Sequence, residues 1–299
     1  MKLQGVVPAC VTPFVNGRAD AGAYHENVCR WLETGLHGVL VFGSTGEYVY
    51  LEDDERRALL QAARGAVPSD RMLLVGCGAE STLQALRYLQ EAAEDGADAA
   101  LVVTPVYYTR GNADAQRYHD ETLAEASPIP VLLYSVAAYT AYDLPVEVIL
   151  ELARHPNVAG IKDSTGELKR VALQLTADIP DFAIFSGNPD LAFAALSMGA
   201  AGSIMAFGNI IPEIMVALWK AVKANDLPGA AHLQRTISAM AGTLGRYGIP
   251  GIKAVLNYRG YIAGEPRAPL RPLAPEATTL AVRAWERAME EAGVLGWKP

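Results

Sequence analysis

Residues 131–163 read VLLYSVAAYTAYDLPVEVILELARHPNVAGIKD, and this stretch decides the fold. It opens on one apolar run, Val131 to Tyr134, and closes on another, Val158 to Ile161. Between them, Pro145 to Arg154 carries apolar residues at helical spacing behind a proline suited to a first turn. Two continuously apolar strands joined through an amphipathic helix make a βαβ unit, in which both faces of the parallel strands are covered. The same order repeats outward from here. Upstream lie Gly5 to Ala9, Gly38 to Phe42, Met72 to Gly76 and Ala99 to Val103, with helical stretches at Asp53 to Arg64 and Thr82 to Asp95; downstream lie Phe182 to Phe185 and Ala201 to Met205. Eight strands in unbroken β-then-α order predict an α/β fold, a (β/α)8 TIM barrel, over residues 1–225. An open doubly wound sheet is the alternative, but it calls for a glycine-rich phosphate turn after the first strand, where this chain reads CVTPFVNGRAD.

After residue 225 the strand signals stop. Ala230 to Leu244 and Pro275 to Ala292 read as helices around a turn-rich segment, Gly245 to Pro272, so residues 226–299 are expected to form a C-terminal helical extension packed on the barrel within one structural domain. A chain of 299 residues, 51% of them hydrophobic, can bury a large core. The net charge of -8 comes with scattered lysines and arginines, which argues against a nucleic-acid partner. Cys10, Cys29 and Cys77 form no C-x-x-C pair and sit in or beside apolar runs, so reduced, buried thiols are expected. No window approaches a transmembrane span and the N-terminus has too short an apolar stretch for a signal; a soluble cytoplasmic protein with no membrane partner is the expectation.

Barrels of this kind place their chemistry at the carboxyl ends of the strands. Lys162 ends the run NVAGI, so its amine is expected in the barrel mouth, where a dry setting suits a nucleophile that forms an imine. The plainer reading pairs it with Asp163 or Glu167. Lys253, in GIPGIKAVL, is a rival that starts a helix outside the strands. Tyr134 ends the neighbouring strand, where its phenol can pass protons or simply cap the core. Gly43-Ser44-Thr45-Gly46-Glu47 offers two glycines that let backbone approach a ligand, with hydroxyls and amides that can bind a carboxylate; it is also an ordinary strand-to-helix turn. Glu47 is read as a brace of that turn or a cap of the next helix. His25, His37, His119, His155 and His232 show no metal-ligand spacing, and no G-x-S-x-G turn supports a serine hydrolase, so no metal is expected.

The turn GSTGE, the segment Thr104 to Tyr108, VLLYSV, GIKDSTG and GIPGIKAVLNYRGY, in this order over nearly the whole chain, resemble the dihydrodipicolinate synthase and N-acetylneuraminate lyase superfamily. The resemblance implies a class I aldolase or lyase in which Lys162 forms an imine with pyruvate or the pyruvate half of a longer substrate, with no cofactor beyond that covalent imine. It implies that Ser44 and Thr45, with Gly43 and Gly46, bind the carboxylate, that Tyr134 transfers protons, and that Gly187 and Ile204 line the pyruvate pocket, Ile204 through its carbonyl. Tyr107 matches a tyrosine that reaches a neighbouring subunit's site, which implies a homotetramer.

The chain departs from the synthase pattern where it reads Tyr134-Ser-Val-Ala-Ala-Tyr139-Thr140: Tyr139 stands where an arginine would grip the second substrate's carboxylate, and a phenol is no substitute for that fork. With Ser164 two residues after the lysine, the stretch looks most like 4-hydroxy-2-oxoglutarate aldolases, although Ala137 replaces an expected proline and Ala141 an expected glycine. The expected partners are therefore pyruvate and an aldehyde. Dihydrodipicolinate synthase activity and aldol cleavage or dehydration of a 2-keto-3-deoxy sugar acid are the alternatives, and an inactive ligand-binding barrel is the reading from a different class.

Overall fold

Each of the eight apolar runs forms a strand in the computed structural model, which describes residues 2–293. They are β1 Gly5–Pro8, β2 Gly38–Val41, β3 Met72–Gly76, β4 Ala99–Val103, β5 Val131–Ser135, β6 Val158–Asp163, β7 Ala183–Ser186 and β8 Gly202–Met205. All neighbouring pairs are parallel, in the order β1-β8-β7-β6-β5-β4-β3-β2. The ring closes between β1 and β2 through the Ala9–Leu40 bridge, with Cys10 N donating to Leu40 O at 2.9 Å and His37 N to Val6 O at 3.0 Å. This closure separates a barrel from the open-sheet alternative.

Side chains alternate along each strand as the pleat requires. Val7, Leu40, Leu74, Leu101, Leu132, Phe185 and Ile204 point inward and fill the barrel. Their neighbours Val6, Val39, Val41, Leu73, Val75 and Val102 point outward into the core shared with the helices. Continuous hydrophobicity is the sequence signature of strands buried on both faces, and that made these runs readable.

The outer layer comprises α1 Ala21–Glu33, α2 Asp53–Ala66, α3 Thr82–Glu94, α4 Ala113–Ala126, α5 Val146–Leu152, α6 Leu168–Thr176, α7 Ala192–Ser197 and α8 Pro212–Lys223. Pro145 is the N-cap of α5 rather than part of its first turn. Beyond them α9 Leu227–Leu244 packs on α8, and α10 Gly248–Tyr258 and α11 Pro275–Glu291 pack on α9 and on each other. Trp285 of α11 is 1% exposed and donates to Ile210 O at 2.7 Å, which ties the extension to the loop after β8. Residues 294–299 of the expected extension lie outside the described residues.

Two expectations need correction. The segment Gly245 to Pro272 is not all turn: α10 occupies its first half, with Lys253 in mid-helix instead of at its start. Gly248 and Pro250 fall in the opening turn, where a missing N–H costs nothing, and Ile252, Val255 and Leu256 then bury one face. Cys10 and Cys77 are buried, but Cys29 is only half-buried, because α1 turns it away from the barrel. No described helix is long and apolar enough to cross a membrane.

Candidate active site

Lys162 lies near the carboxyl end of β6, in register with Tyr134 of β5 on one side and Phe185 of β7 on the other. It is 4% exposed, and its Nζ sits 4.2 Å from the centre of the Tyr134 ring, itself 5% exposed. Neither carboxylate offered by the plainer reading pairs with it. Asp163 points to the outer side of the strand, where its Oδ2 receives Gln174 Nε2 at 2.7 Å and Arg170 Nε at 3.4 Å and its Oδ1 receives the Thr165 hydroxyl at 2.6 Å. Alternation along β6 thus sends the amine inward and the acid outward. Gly187 makes room for it: a Cβ there would lie 1.8 Å from Ser164 Oγ, 2.9 Å from Ser164 Cβ and 3.2 Å from Lys162 Cε. Ile204 is fully buried in the same inner cluster as Tyr134 and Phe185.

The turn after β2 is a single 3-10 turn, Ser44–Gly46, held between two residues in the left-handed region, Phe42 at φ 57° and Glu47 at φ 55°. Backbone in that region is costly for side chains of this size, so its neighbours must hold it there. Thr12 Oγ1 donates to Gly46 O at 2.7 Å, and a Cβ on Gly46 would lie 2.9 Å from Cys10 O, so the turn lies close against the β1 loop. Glu47 braces the turn: its Oε2 accepts from Arg267 N at 2.8 Å, and its Oε1 lies 2.7 Å from Lys253 Nζ, an ion pair held by charge with poor hydrogen-bond alignment. Capping of α2 falls to Glu52 and Glu55 instead. Lys253 is 1% exposed and also donates to Glu265 O at 3.0 Å. Burial lowers its pKa, an effect that Glu47 opposes. Its amine is engaged in bracing, away from the role of a rival nucleophile.

Above these residues opens a cleft of about 600 Å³, lined in part by Ser44, Tyr48, Glu80, Thr140, Tyr139 and Arg246. Tyr139, on a one-turn helix Ala137–Thr140, is 64% exposed; loss of water around its phenol and then the nearby Tyr134 raise its pKa. Tyr48 is pushed up to about 12, mainly by burial and then by Glu80 and Tyr134. Tyr107 is 78% exposed and stacks edge-on against Tyr108 at 5.0 Å. Among the described residues no group of three His, Cys, Asp or Glu side chains is placed to hold a metal ion.

The model of the dihydrodipicolinate synthetase family matches residues 2–287 of this chain. The chain belongs to that family. It is similar to the 4-hydroxy-tetrahydrodipicolinate synthase of Hyphomonas neptunium, with 35% identity over 285 residues, 93% of this chain and 95% of the relative. Its fold is similar to the crystal structure of dihydrodipicolinate synthase from Thermotoga maritima, with a TM-score of 0.91 at 29% identity over 99% of this chain and 100% of the other. It is also similar to a prophage protein of the dihydrodipicolinic acid synthase family from E. coli K12, solved in complex with pyruvate, with a TM-score of 0.90 at 26% identity over 96% and 98% of the two chains. Membership makes the chain an enzyme, a class I Schiff-base lyase.

Within this family member, the structure brings together Lys162, Tyr134, Ser164, Gly187 and Ile204 around the inner wall, and Ser44 and Tyr139 around the cleft. Tyr107 is not among the residues that line the cleft, although its neighbour Val106 is. Sequence reasoning missed Tyr48, Glu80 and Arg246, and it treated Glu47 and Lys253 separately. Glu80 carries no motif; its carboxylate accepts Val106 N at 3.1 Å and Tyr107 N at 2.9 Å and so holds the loop after β4.

Proposed function

We propose that this lyase is a pyruvate-dependent aldolase acting on a 4-hydroxy-2-oxo acid in the manner of 4-hydroxy-2-oxoglutarate aldolases. The observation that carries the reading is the buried Lys162 amine, free of carboxylate partners among the described residues and held against the Tyr134 ring in space that Gly187 leaves open. In this reading Nζ adds to the C2 carbonyl and water leaves, giving an iminium. Tyr134 gives its proton to that departing water, and the phenolate it becomes takes the proton of the C4 hydroxyl as the C3–C4 bond breaks. Its electron pair passes into the iminium, an aldehyde departs, and the enamine left behind takes a proton at C3 before hydrolysis releases pyruvate. The imine is the electron sink, so the reading calls for neither metal nor organic cofactor. The turn Gly43-Ser44-Thr45-Gly46 receives the carboxylate of the pyruvate half, Ser164, Gly187 and Ile204 line its pocket, and Tyr139 faces the departing aldehyde. Tyr107, exposed in one chain, completes a proton relay in the site of a neighbouring subunit of a homotetramer. Three unpaired cysteines agree with a cytoplasmic setting.

A second reading, 4-hydroxy-tetrahydrodipicolinate synthesis, is favoured by the names of the relatives and opposed by Tyr139 in place of the cationic fork. Borohydride reduction with pyruvate, followed by peptide mapping, tests the shared step. A pyruvate adduct on Lys162 is expected; its absence, or an adduct on Lys253, defeats both readings. Assays with a 4-hydroxy-2-oxo acid, and with pyruvate plus aspartate semialdehyde, then separate them.

A further inference from the structure

We infer that Arg246, supplied by the helical extension, recognises a carboxylate at the aldehyde end of the substrate and replaces the cation missing at position 139, which makes 4-hydroxy-2-oxo dicarboxylates the substrate class. The inference deepens the aldolase reading above and rests on it. Arg246 follows α9 in the short turn Gly245–Tyr247 and lines the same cleft as Ser44 and Tyr139. Its Nε is spent on Thr243 O at 3.2 Å, and its guanidinium lies 5.7 Å from the Tyr247 ring, so the plane is steadied from one side. Among the described residues the two terminal nitrogens have no hydrogen bond or ion pair. They form the planar fork that matches a carboxylate, on a solvent-exposed side chain along the cleft lining.

The other charged side chains of the cleft are already committed. Glu47 faces Lys253 at 2.7 Å, and Glu80 is held by the amides of Val106 and Tyr107. Arg246 is thus the charged group of the cleft left with donors to offer, and it carries the sign that an acidic substrate requires. A substrate with its pyruvate half at Lys162 and the Ser44 turn has its far end in this cleft, where Tyr139 can add one neutral hydrogen bond.

The test compares kcat/KM for cleavage of 4-hydroxy-2-oxoglutarate with that for 4-hydroxy-2-oxopentanoate, which carries a methyl group in place of the distal carboxylate. Wild type, Arg246→Gln and Arg246→Lys are assayed, with borohydride trapping of pyruvate on Lys162 in parallel. Wild type is expected to prefer the dicarboxylate. In Arg246→Gln the ratio of the two kcat/KM values should fall by about 10- to 100-fold, the range of a charge-assisted hydrogen bond. Arg246→Lys should keep part of the ratio, and added guanidinium ion should restore part of it to Arg246→Gln. A wild-type enzyme that traps pyruvate yet shows no preference for the dicarboxylate overturns the inference, as does a ratio unchanged in Arg246→Gln. Failure of wild type to trap pyruvate on Lys162 instead overturns the aldolase reading beneath it.

Discussion

Replacing Gly187 by alanine should disable imine formation while leaving the barrel folded. The new methyl group would stand 1.8 Å from Ser164 Oγ, 2.9 Å from Ser164 Cβ and 3.2 Å from Lys162 Cε, against ordinary carbon contacts of about 3.5–4.0 Å. Ser164 can turn its hydroxyl away by rotation about χ1, but its Cβ and the lysine stem must retreat. Overpacking of this kind costs about 1–3 kcal/mol, a Tm loss of a few degrees for a chain of this size. The chemical cost is larger, because a displacement on the order of 1 Å at the attacking nitrogen lowers the rate by about 100-fold. The assay is the rate of borohydride-trapped pyruvate on Lys162, read by intact mass, beside a thermal melt. The double variant Ser164→Gly with Gly187→Ala removes the two closest contacts and should recover most of the trapping rate. Wild-type trapping in Gly187→Ala, or a double variant no faster than the single one, would refute the argument that Gly187 is there to clear the lysine.

Three further outcomes follow from other parts of the structure. Glu47→Gln or Lys253→Met alone should each cost about 3–5 kcal/mol, because each strands a buried charge, whereas the double variant should lose far less; additive losses in chemical denaturation would contradict the pairing. Asp120, 1% exposed and with neither carboxyl oxygen partnered among the described residues, is pushed up to about 8, chiefly by burial and then by Glu121. Its folded-state pKa is raised above the ordinary aspartate value of 3.8, so the stability it contributes is full below that pH and is lost as pH rises through about 8. The Tm advantage of Asp120→Asn should therefore widen from pH 4 to pH 8 and then level off, and a gap independent of pH would count against it. Tyr107→Phe should lower turnover with pyruvate trapping largely intact, and total loss of trapping would rule out a relay role.

The strands were legible because burial on both faces leaves so few residue types to choose from, and VLLY and NVAGI show this best. Their ends were legible too: Lys162 and Tyr134 are the first large polar groups after the apolar runs, and strand alternation turns them to the barrel interior while Asp163 turns outward. The start of the helix Gly248–Tyr258, read from sequence as beginning at Lys253, was hidden because Gly-Ile-Pro-Gly carries local turn chemistry, and tertiary burial of Ile252, Val255 and Leu256 outweighs it. The partnership of Glu47 with Lys253 and the place of Arg246 in the cleft had no local signal. Each depends on where the extension docks, and no periodicity encodes that. His119 was read only as lacking a metal partner, yet it is buried and held near pKa 4 by loss of water, with its Nδ1 at 2.8 Å from the Thr82 hydroxyl.

The Glu47 brace also sets the timing of assembly. Arg267 N closes on Glu47 across 220 residues of chain, so the turn after β2, held early by Thr12, receives this further support only once residue 267 has been made. A chain emerging in order forms β1 and β2 early, but Glu47 stays wet until α10 and the segment carrying Arg267 have left the ribosome and docked. Such distant contacts form slowly, because the loop must close before it is rewarded. Competence for catalysis should therefore lag behind barrel formation in refolding.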